Sequence, residues 1–412
     1  DPADVITPGD FLISRANTLE LVGAPVIVKT CRRRLVLSDK VLRLRFVTEG
    51  LDRWVELFLK SRAGRRQIEG YAQGAQLSMR NISQENLRRI LVPIAPADEM
   101  RRILACADAV FGELDEAEAG LTRARGALSD YRASLLHAAY TGAFTAAWRA
   151  ATPQLVEDGP ALLRRILAER RAAWERGELA RLVARGKPAP KGDAWKARYQ
   201  EPPAPDADGM PVLPDGWVWA SLDQLSTFMT SGSRAWAPYY GRGSCVFVMA
   251  QNVRPGRLDT GFVQLVDPPL DDPERRRTLV EKDDLLVTIV GANTGDACRV
   301  DVAVRDHFVC QSVALVRPVC RDLSPYLELF LCAEQGGQAA FRVMMYGAGR
   351  PHLSFDQLRS VAVPLPPAAE VDAIMAALRE VTEETAGTDE TLSAARTTGH
   401  ALRQSILHAA FT

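Results

Sequence analysis

Between residues 103 and 138, apolar or small residues fall at alternating steps of four and three. Positions 103, 107, 110, 114, 117, 121, 124, 128, 131, 135 and 138 read Ile, Ala, Val, Leu, Ala, Leu, Ala, Leu, Tyr, Leu, Ala. That spacing predicts the seam of a coiled-coil helix. The same spacing recurs from Ile374 through Leu378, Val381, Thr385, Thr388, Leu392, Ala395, Gly399, Leu402, Ile406 and Ala409, with a more polar middle. Prolines stand before each run (Pro93 and Pro96; Pro364, Pro366 and Pro367), and acids follow in the first turn, as helix starts require. Each helix predicted here, Ala97–Thr141 and Ala368–Thr412, would be roughly 65 Å long at about 1.5 Å per residue. Elsewhere the pattern shortens to strand-like runs at Cys245–Met249, Leu285–Val290, Phe308–Val309 and Val313–Val316, separated by turn signals such as Pro255-Gly256 and Asn293-Thr294-Gly295. Ser221-Leu222-Asp223-Gln224 and Ser354-Phe355-Asp356-Gln357 have the form of helix capping boxes.

The two long runs belong to a larger repeat. Ala97–Thr141 aligns with Ala368–Thr412 at a constant offset of 271, down to Leu136-His137-Ala138-Ala139-Tyr140-Thr141 against Leu407-His408-Ala409-Ala410-Phe411-Thr412. Upstream, Val92-Pro93 matches Val363-Pro364, and Glu56-Leu57-Phe58-Leu59 matches Glu328-Leu329-Phe330-Leu331. Gly9-Asp10-Phe11-Leu12-Ile13 parallels Asp283-Asp284-Leu285-Leu286-Val287, and Ala16-Asn17-Thr18 parallels Ala292-Asn293-Thr294. The expected architecture is α+β: two repeated globular α/β domains with two long antiparallel coiled-coil helices between them. Expected boundaries are 1–96 for the first domain, 97–150 for the first helix and 151–209 for a basic helix with a Pro-rich linker. The second domain follows at 210–367 and the second helix at 368–412. The first copy has nine residues ahead of Asp10, against about 70 ahead of the matching element in the second. It therefore reads as shortened at its N-terminus. In a polypeptide starting at this point, that domain is expected to be the weaker of the two.

Composition narrows the function. Hydrophobic residues make up 47% and charged residues 25% of 412, as in ordinary globular proteins. No apolar run approaches the roughly 18 residues of a membrane helix, and no basic, apolar leader opens the chain, which reads as cytoplasmic. The net charge is zero, so any nucleic-acid contact must use a local basic face. One such stretch is 160–200, with 11 Lys and Arg against four acids. The seven cysteines are scattered without a C-x-x-C pair, and buried free thiols are expected. Phosphate-loop, dinucleotide-binding, Asn-Pro-Pro-aromatic and H-E-x-x-H motifs are all missing. No nucleophile or acid–base constellation stands out, and His137 and His408 read as packing residues at matching helix ends.

Several phrases resemble one family, in order and largely in both copies. They are Gln251–Leu258, the strand and loop Asp283–Gly295, Gln311-Ser312-Val313-Ala314, the run Leu353-Ser354 to Val363–Pro367 with Glu370 and Ile374, and the helix-ending Leu135–Phe144. The chain resembles the specificity subunits of type I restriction-modification systems. It differs in having Glu99-Met100 and Glu370-Val371 where a Glu-Gln pair is usual, and in a first-copy loop where Asn17 is followed by Thr18-Leu19 without the loop's last glycine. The resemblance implies that each domain is a target-recognition domain reading one half of a bipartite double-stranded DNA site. The helices would set the spacing and dock two methyltransferase subunits, with motor-nuclease (restriction) subunits joining the complex. The chain itself would be non-catalytic and carry no cofactor; S-adenosylmethionine would bind the methyltransferase partner, which modifies adenine. Two other classes compete: a coiled-coil scaffold that does not bind DNA, and the specificity part of a self-sufficient methyltransferase. The candidate DNA-contacting residues of the second domain are Ser231, Ser233, Arg234, Asn252, Arg254, Arg257, Asn293, Arg342, Tyr346, Arg350 and His352. Those of the first are Arg15, Asn17, Arg65, Arg66, Gln73, Gln76 and Arg80. All are polar or aromatic residues in turn-rich segments, able to meet base edges or phosphates. No metal site is expected.

Overall fold

The computed structural model describes residues 4–48, 50–74, 79–152, 157–188, 190, 192–232, 235–347 and 349–411. The chain divides into two compact units, Asp1–Ala127 with Ala386–Thr412, and Leu128–Thr385.

The first unit opens with strands β1 (Phe11–Ser14), β2 (Ala16–Asn17), β3 (Pro25–Ile27) and β4 (Val41–Leu44). Two helices follow, α1 (Leu51–Lys60) and α2 (Arg62–Tyr71), then β5 (Arg80–Asn81) and α3 (Gln84–Arg88). Strand β1 is central in an antiparallel sheet ordered β3-β1-β4, while β2 pairs with β5. Phe11, Ile13, Phe58, Ile68 and Ile82 form its core. On the other sheet face Leu12 is buried while its neighbour Val26 is half exposed.

Helix α4 (Ala97–Thr141) runs from the first unit into the second and stops where Gly142 adopts φ 77°, a left-handed turn suited to glycine. The helix expected over 97–150 therefore ends at 141, and a short α5 (Ala146–Ala151) follows the break. The basic stretch folds as α6 (Gly159–Ala184), capped by Asp158.

The second unit contains β6 (Val218–Ser221), β7 (Ser226–Ser231), β8 (Tyr240–Val248), β9 (Val253–Arg254), β10 (Arg257–Leu258) and β11 (Gln264–Val266). Helix α7 (Pro273–Thr278) precedes β12 (Leu285–Thr288), β13 (Ala297–Arg299), β14 (His307–Val309) and β15 (Val313–Pro318). Helices α8 (Ser324–Cys332), α9 (Gly337–Met344) and α10 (Phe355–Ser360), strand β16 (Ala362–Leu365) and helix α11 (Ala368–Ala409) complete the chain. Its main sheet is ordered β13-β12-β15-β7, and a second sheet β11-β8-β14 lies beside it. Because successive strand residues point to opposite faces, Leu285 and Val287 enter one core and Leu286 the other. The box at Ser354 and Gln357 caps α10. Ser221 and Gln224 make the same reciprocal bonds around a tight turn instead of a helix.

The repeat is visible bond by bond. In each copy the strand pair β1·β4 or β12·β15 is followed by two helices, a short capped helix and a long helix. Trp54 Nε1 donates to the Pro93 carbonyl at 2.7 Å, and Tyr326 donates its hydroxyl proton to the Pro364 carbonyl at 2.7 Å. Asp10 and Asp284 each accept from a backbone N–H three residues earlier and pair with an arginine, Arg43 or Arg317. The acidic residue of the Gly-Asp or Asp-Asp element is thus a structural lock.

The long helices run antiparallel. In the first unit Asp115 pairs with Arg403, and Arg125 donates to Ser393 Oγ at 2.5 Å. In the second, Arg132 donates to Thr385 Oγ1 at 3.0 Å. The seam drifts from the strict four-three prediction: Tyr131 is 49% exposed, while Arg132 and Ala139 have moved inward. A straight helix advances about 20° per heptad relative to a 3.5-residue repeat, which over five heptads moves the seam by about one residue.

Candidate nucleic-acid interface

One end of each globular part brings several of the nominated residues together. In the first unit, Asn17 faces Arg80 across the β2·β5 pair, Ala16 faces Asn81, and Gln73 bridges to Asn81. The Ile82 N–H donates to the Arg15 carbonyl at 2.9 Å, closing the crossing. In the second unit, Val290 and Tyr346 both bridge to His352, and the Leu353 N–H donates to the Ile289 carbonyl at 2.9 Å. Tyr346 and His352 also share a hydroxyl–Nδ1 hydrogen bond of 2.8 Å. By these bonds Gln73 matches Tyr346, and Asn81 matches His352. The scaffold is common to both copies and the displayed side chains differ.

The same bonds revise two readings of the loop. The Gly23 N–H donates to Ser14 O as the Gly295 N–H donates to Thr288 O. Gly23 is therefore the loop's closing glycine, and the expectation that the first copy is without one is corrected. Its φ is 70°, and an added Cβ would lie 2.5 Å from Ile68 Cγ2. The partner of Ala16 is Val290, not Ala292, because the first loop is two residues longer.

The other nominees divide clearly. Asn293 lies in the loop closed by Gly295, partly exposed, and Arg350 is exposed with no hydrogen bond or ion pair among the described residues. Arg66 is likewise exposed and unpaired. Ser231 ends β7, where its carbonyl accepts from Arg277. Arg254 stands 4.0 Å from Asp296, whose carboxyl is raised by burial and partly lowered again by that arginine. Arg257 is 71% exposed beside Asp259. Arg342, on α9, is held by Glu334 in the turn before that helix. Ser233, Arg234 and Gln76 lie outside the described residues.

Two nominations are corrected. Asn252 is 2% exposed; its Oδ1 accepts from Met249 N and its Nδ2 donates to the carbonyls of Asp259 and Phe262. All its polar capacity holds the turn, leaving nothing for a base. Asn252→Ala should lower the unfolding free energy by about 1–3 kcal/mol, the cost of stranding buried groups. It should leave sequence preference unchanged, as thermal melts and competitive binding would test. Arg65 donates to the carbonyls of Leu19 and Val22 at 2.9 and 2.7 Å and so ties down the loop.

Sequence reading missed other groups. Arg32, Arg33 and Arg34 are exposed between β3 and β4 and unpaired among the described residues; the three-arginine run was the available signal. Residues 1–96 carry 16 Lys and Arg against 10 acids, whereas 210–367 carry 15 against 17. The Gln311 Oε1 is buried without a hydrogen-bond partner, for which no sequence signal exists. On α6, the cations are largely paired, Arg165 with Glu157 and Arg170 with Asp223.

Among the described residues of this set, no nucleophile stands beside an acid–base partner. Burial pushes the Cys298 thiol well up and that of Cys332 to about 12, away from thiolate nucleophilicity. All seven cysteines are free, and Cys106 is exposed against expectation. His137 Nδ1 is 2.7 Å from the Tyr140 hydroxyl, a packing contact. Among the described residues no cluster of metal-binding side chains occurs, and no helix is long and apolar enough to cross a membrane.

No protein-family model matches the sequence. Over 170 residues it is 29% identical to the type I restriction enzyme EcoKI specificity subunit of Escherichia coli (strain K12), covering 40% of this chain and 36% of that protein. Over 125 residues it is 26% identical to the EcoEI specificity subunit of Escherichia coli, covering 30% and 21%. The matches thus span about a third or less of these curated relatives. A solved chain from work on complex assembly and conformational transition of the type I R-M system superposes with a TM-score of 0.60 at 16% identity, over 99% of this chain and 82% of that one. The fold is the one seen in that system. The chain is a relative of the type I restriction-modification specificity subunits.

Proposed function

We propose that this chain chooses the DNA sequence for a type I restriction-modification complex and carries no catalytic site of its own. The observation that carries this reading is the duplicated end described above, in which one backbone framework displays Arg15, Asn17, Gln73 and Arg80 in one copy and Asn293, Tyr346, Arg350 and His352 in the other. A shared frame with different side chains suits two readers of different half-sites. The boundaries 1–96 and 210–367 define the two proposed recognition domains, joined through the helices, which space the half-sites. Two methyltransferase subunits, the S-adenosylmethionine binders and adenine modifiers, dock on those helices, and motor-nuclease subunits complete the assembly in the cytoplasm.

Arg350→Ala, and to a lesser extent Arg254→Ala, is expected to weaken binding to the selected site by about 1–3 kcal/mol if the side chain meets guanine. Competitive titration against base-substituted duplexes reads this. Unchanged affinity in both variants removes them from the interface.

A further inference from the structure

Two partly buried arginines in the first unit have no acceptor among the described residues. Neither Arg15 nor Arg80 makes a side-chain hydrogen bond or ion pair among the described residues, both are partly buried, and the Nε of each is sealed from solvent without a partner. They are neighbours. Arg80 faces Asn17 in the β2·β5 pair, and Arg15 lies two residues before Asn17. The Ile82 N–H to Arg15 carbonyl bond carries the crossing one residue past β2, which sets Arg15 diagonally from Arg80, at a spacing of roughly 7–8 Å. Gly74, at φ 139°, closes over the Arg80 stem: a Cβ there would lie 3.6 Å from Arg80 Cδ. Two other partly buried arginines of this unit are engaged, Arg65 by two carbonyls and Arg43 by Asp10, whereas the unpaired Arg32, Arg33, Arg34 and Arg66 lie exposed to water.

Partly desolvated cations without counter-charge cost free energy, and that cost is recovered when an anion arrives. A neutral base edge supplies acceptors but no charge. We infer that Arg15 and Arg80 form a two-arginine site for a DNA backbone phosphate. This rests on the DNA-reading proposal and assigns to this pair a positioning contact in place of a base contact. The second copy has Ile289 and Pro351 at the matching places, so the site belongs to the first copy alone.

The test uses the 412-residue chain, its Arg15→Gln and Arg80→Gln variants, and the double variant. Without DNA, each single variant should melt about 2–4 °C higher, because an uncompensated charge has gone. On DNA, each should weaken binding equally on all sequences and reduce the slope of log affinity against log salt by about 1. In the unmodified chain, inorganic phosphate should raise the melting temperature beyond a chloride control of equal ionic strength, and the double variant should lose that rise. Unchanged salt slopes, or a loss confined to one base position, overturn the phosphate assignment. So does the absence of phosphate stabilisation in the unmodified chain, whatever the variants do. If the chain binds no DNA but keeps the phosphate response, the DNA-reading proposal has failed and the anion site stands.

Discussion

Glu370→Ala is expected to cost the second unit about 3–5 kcal/mol, the largest stability effect of any single change described here. Glu370 begins α11 and is wholly buried. Its Oε1 accepts from the Thr145 hydroxyl at 2.6 Å and from Arg149, while its Oε2 accepts from Trp217 Nε1 at 2.9 Å. One carboxylate thus ties the start of α11 to the segment after α4 and to the entry into β6. Removing it strands the Arg149 guanidinium, whose side chain is only 19% exposed, and two further donors. Glu370→Gln keeps an acceptor and should lose less. Denaturant unfolding followed by tryptophan fluorescence separates the two. An alanine variant as stable as the parent would show that the cluster is not what fixes this junction.

The second large effect is functional. Four residues inserted after Leu121 should abolish binding to the selected DNA site or shift its preferred spacer, while both globular parts stay folded. In the first unit, Asp115 pairs with Arg403 and Arg125 with Ser393, so positions on either side of the insertion point have defined partners on α11. Four extra residues advance the helix by about 6 Å and rotate it by about 40°. Selecting sites from duplexes with graded spacers reads the change. A variant that still prefers the parent spacer would remove the helices from the spacing role.

What could be read from the sequence follows from how local each signal is. The four-three pattern needed only nearest-turn chemistry, so the long helix and its start at Ala97 were legible, while the boundary at 150 ran past the break at Gly142. The drift that turns Tyr131 outward depends on the accumulated twist of the whole helix, which a fixed heptad template omits. The closing glycine was hidden because Gly23 lies beyond a two-residue loop extension, and only the hydrogen bonds to Ser14 and Thr288 restore the match. Asn252 and Arg65 were nominated as polar residues in turns. Whether such residues face solvent or hold the turn is decided by carbonyls distant in sequence, such as Phe262 for Asn252 and Leu19 for Arg65. The orphaned Nε groups of Arg15 and Arg80 are defined by what does not reach them, and composition carries no trace of that.

The central claim is that this chain reads DNA sequence. Its most direct test is site selection from a random duplex pool with the 412-residue chain, repeated across salt concentrations. The expected result is enrichment of a defined motif, with affinity for the pool falling linearly in log salt as phosphate contacts are screened. Recovery of a pool no different from the input, with affinity indifferent to salt, would contradict it and favour the scaffold.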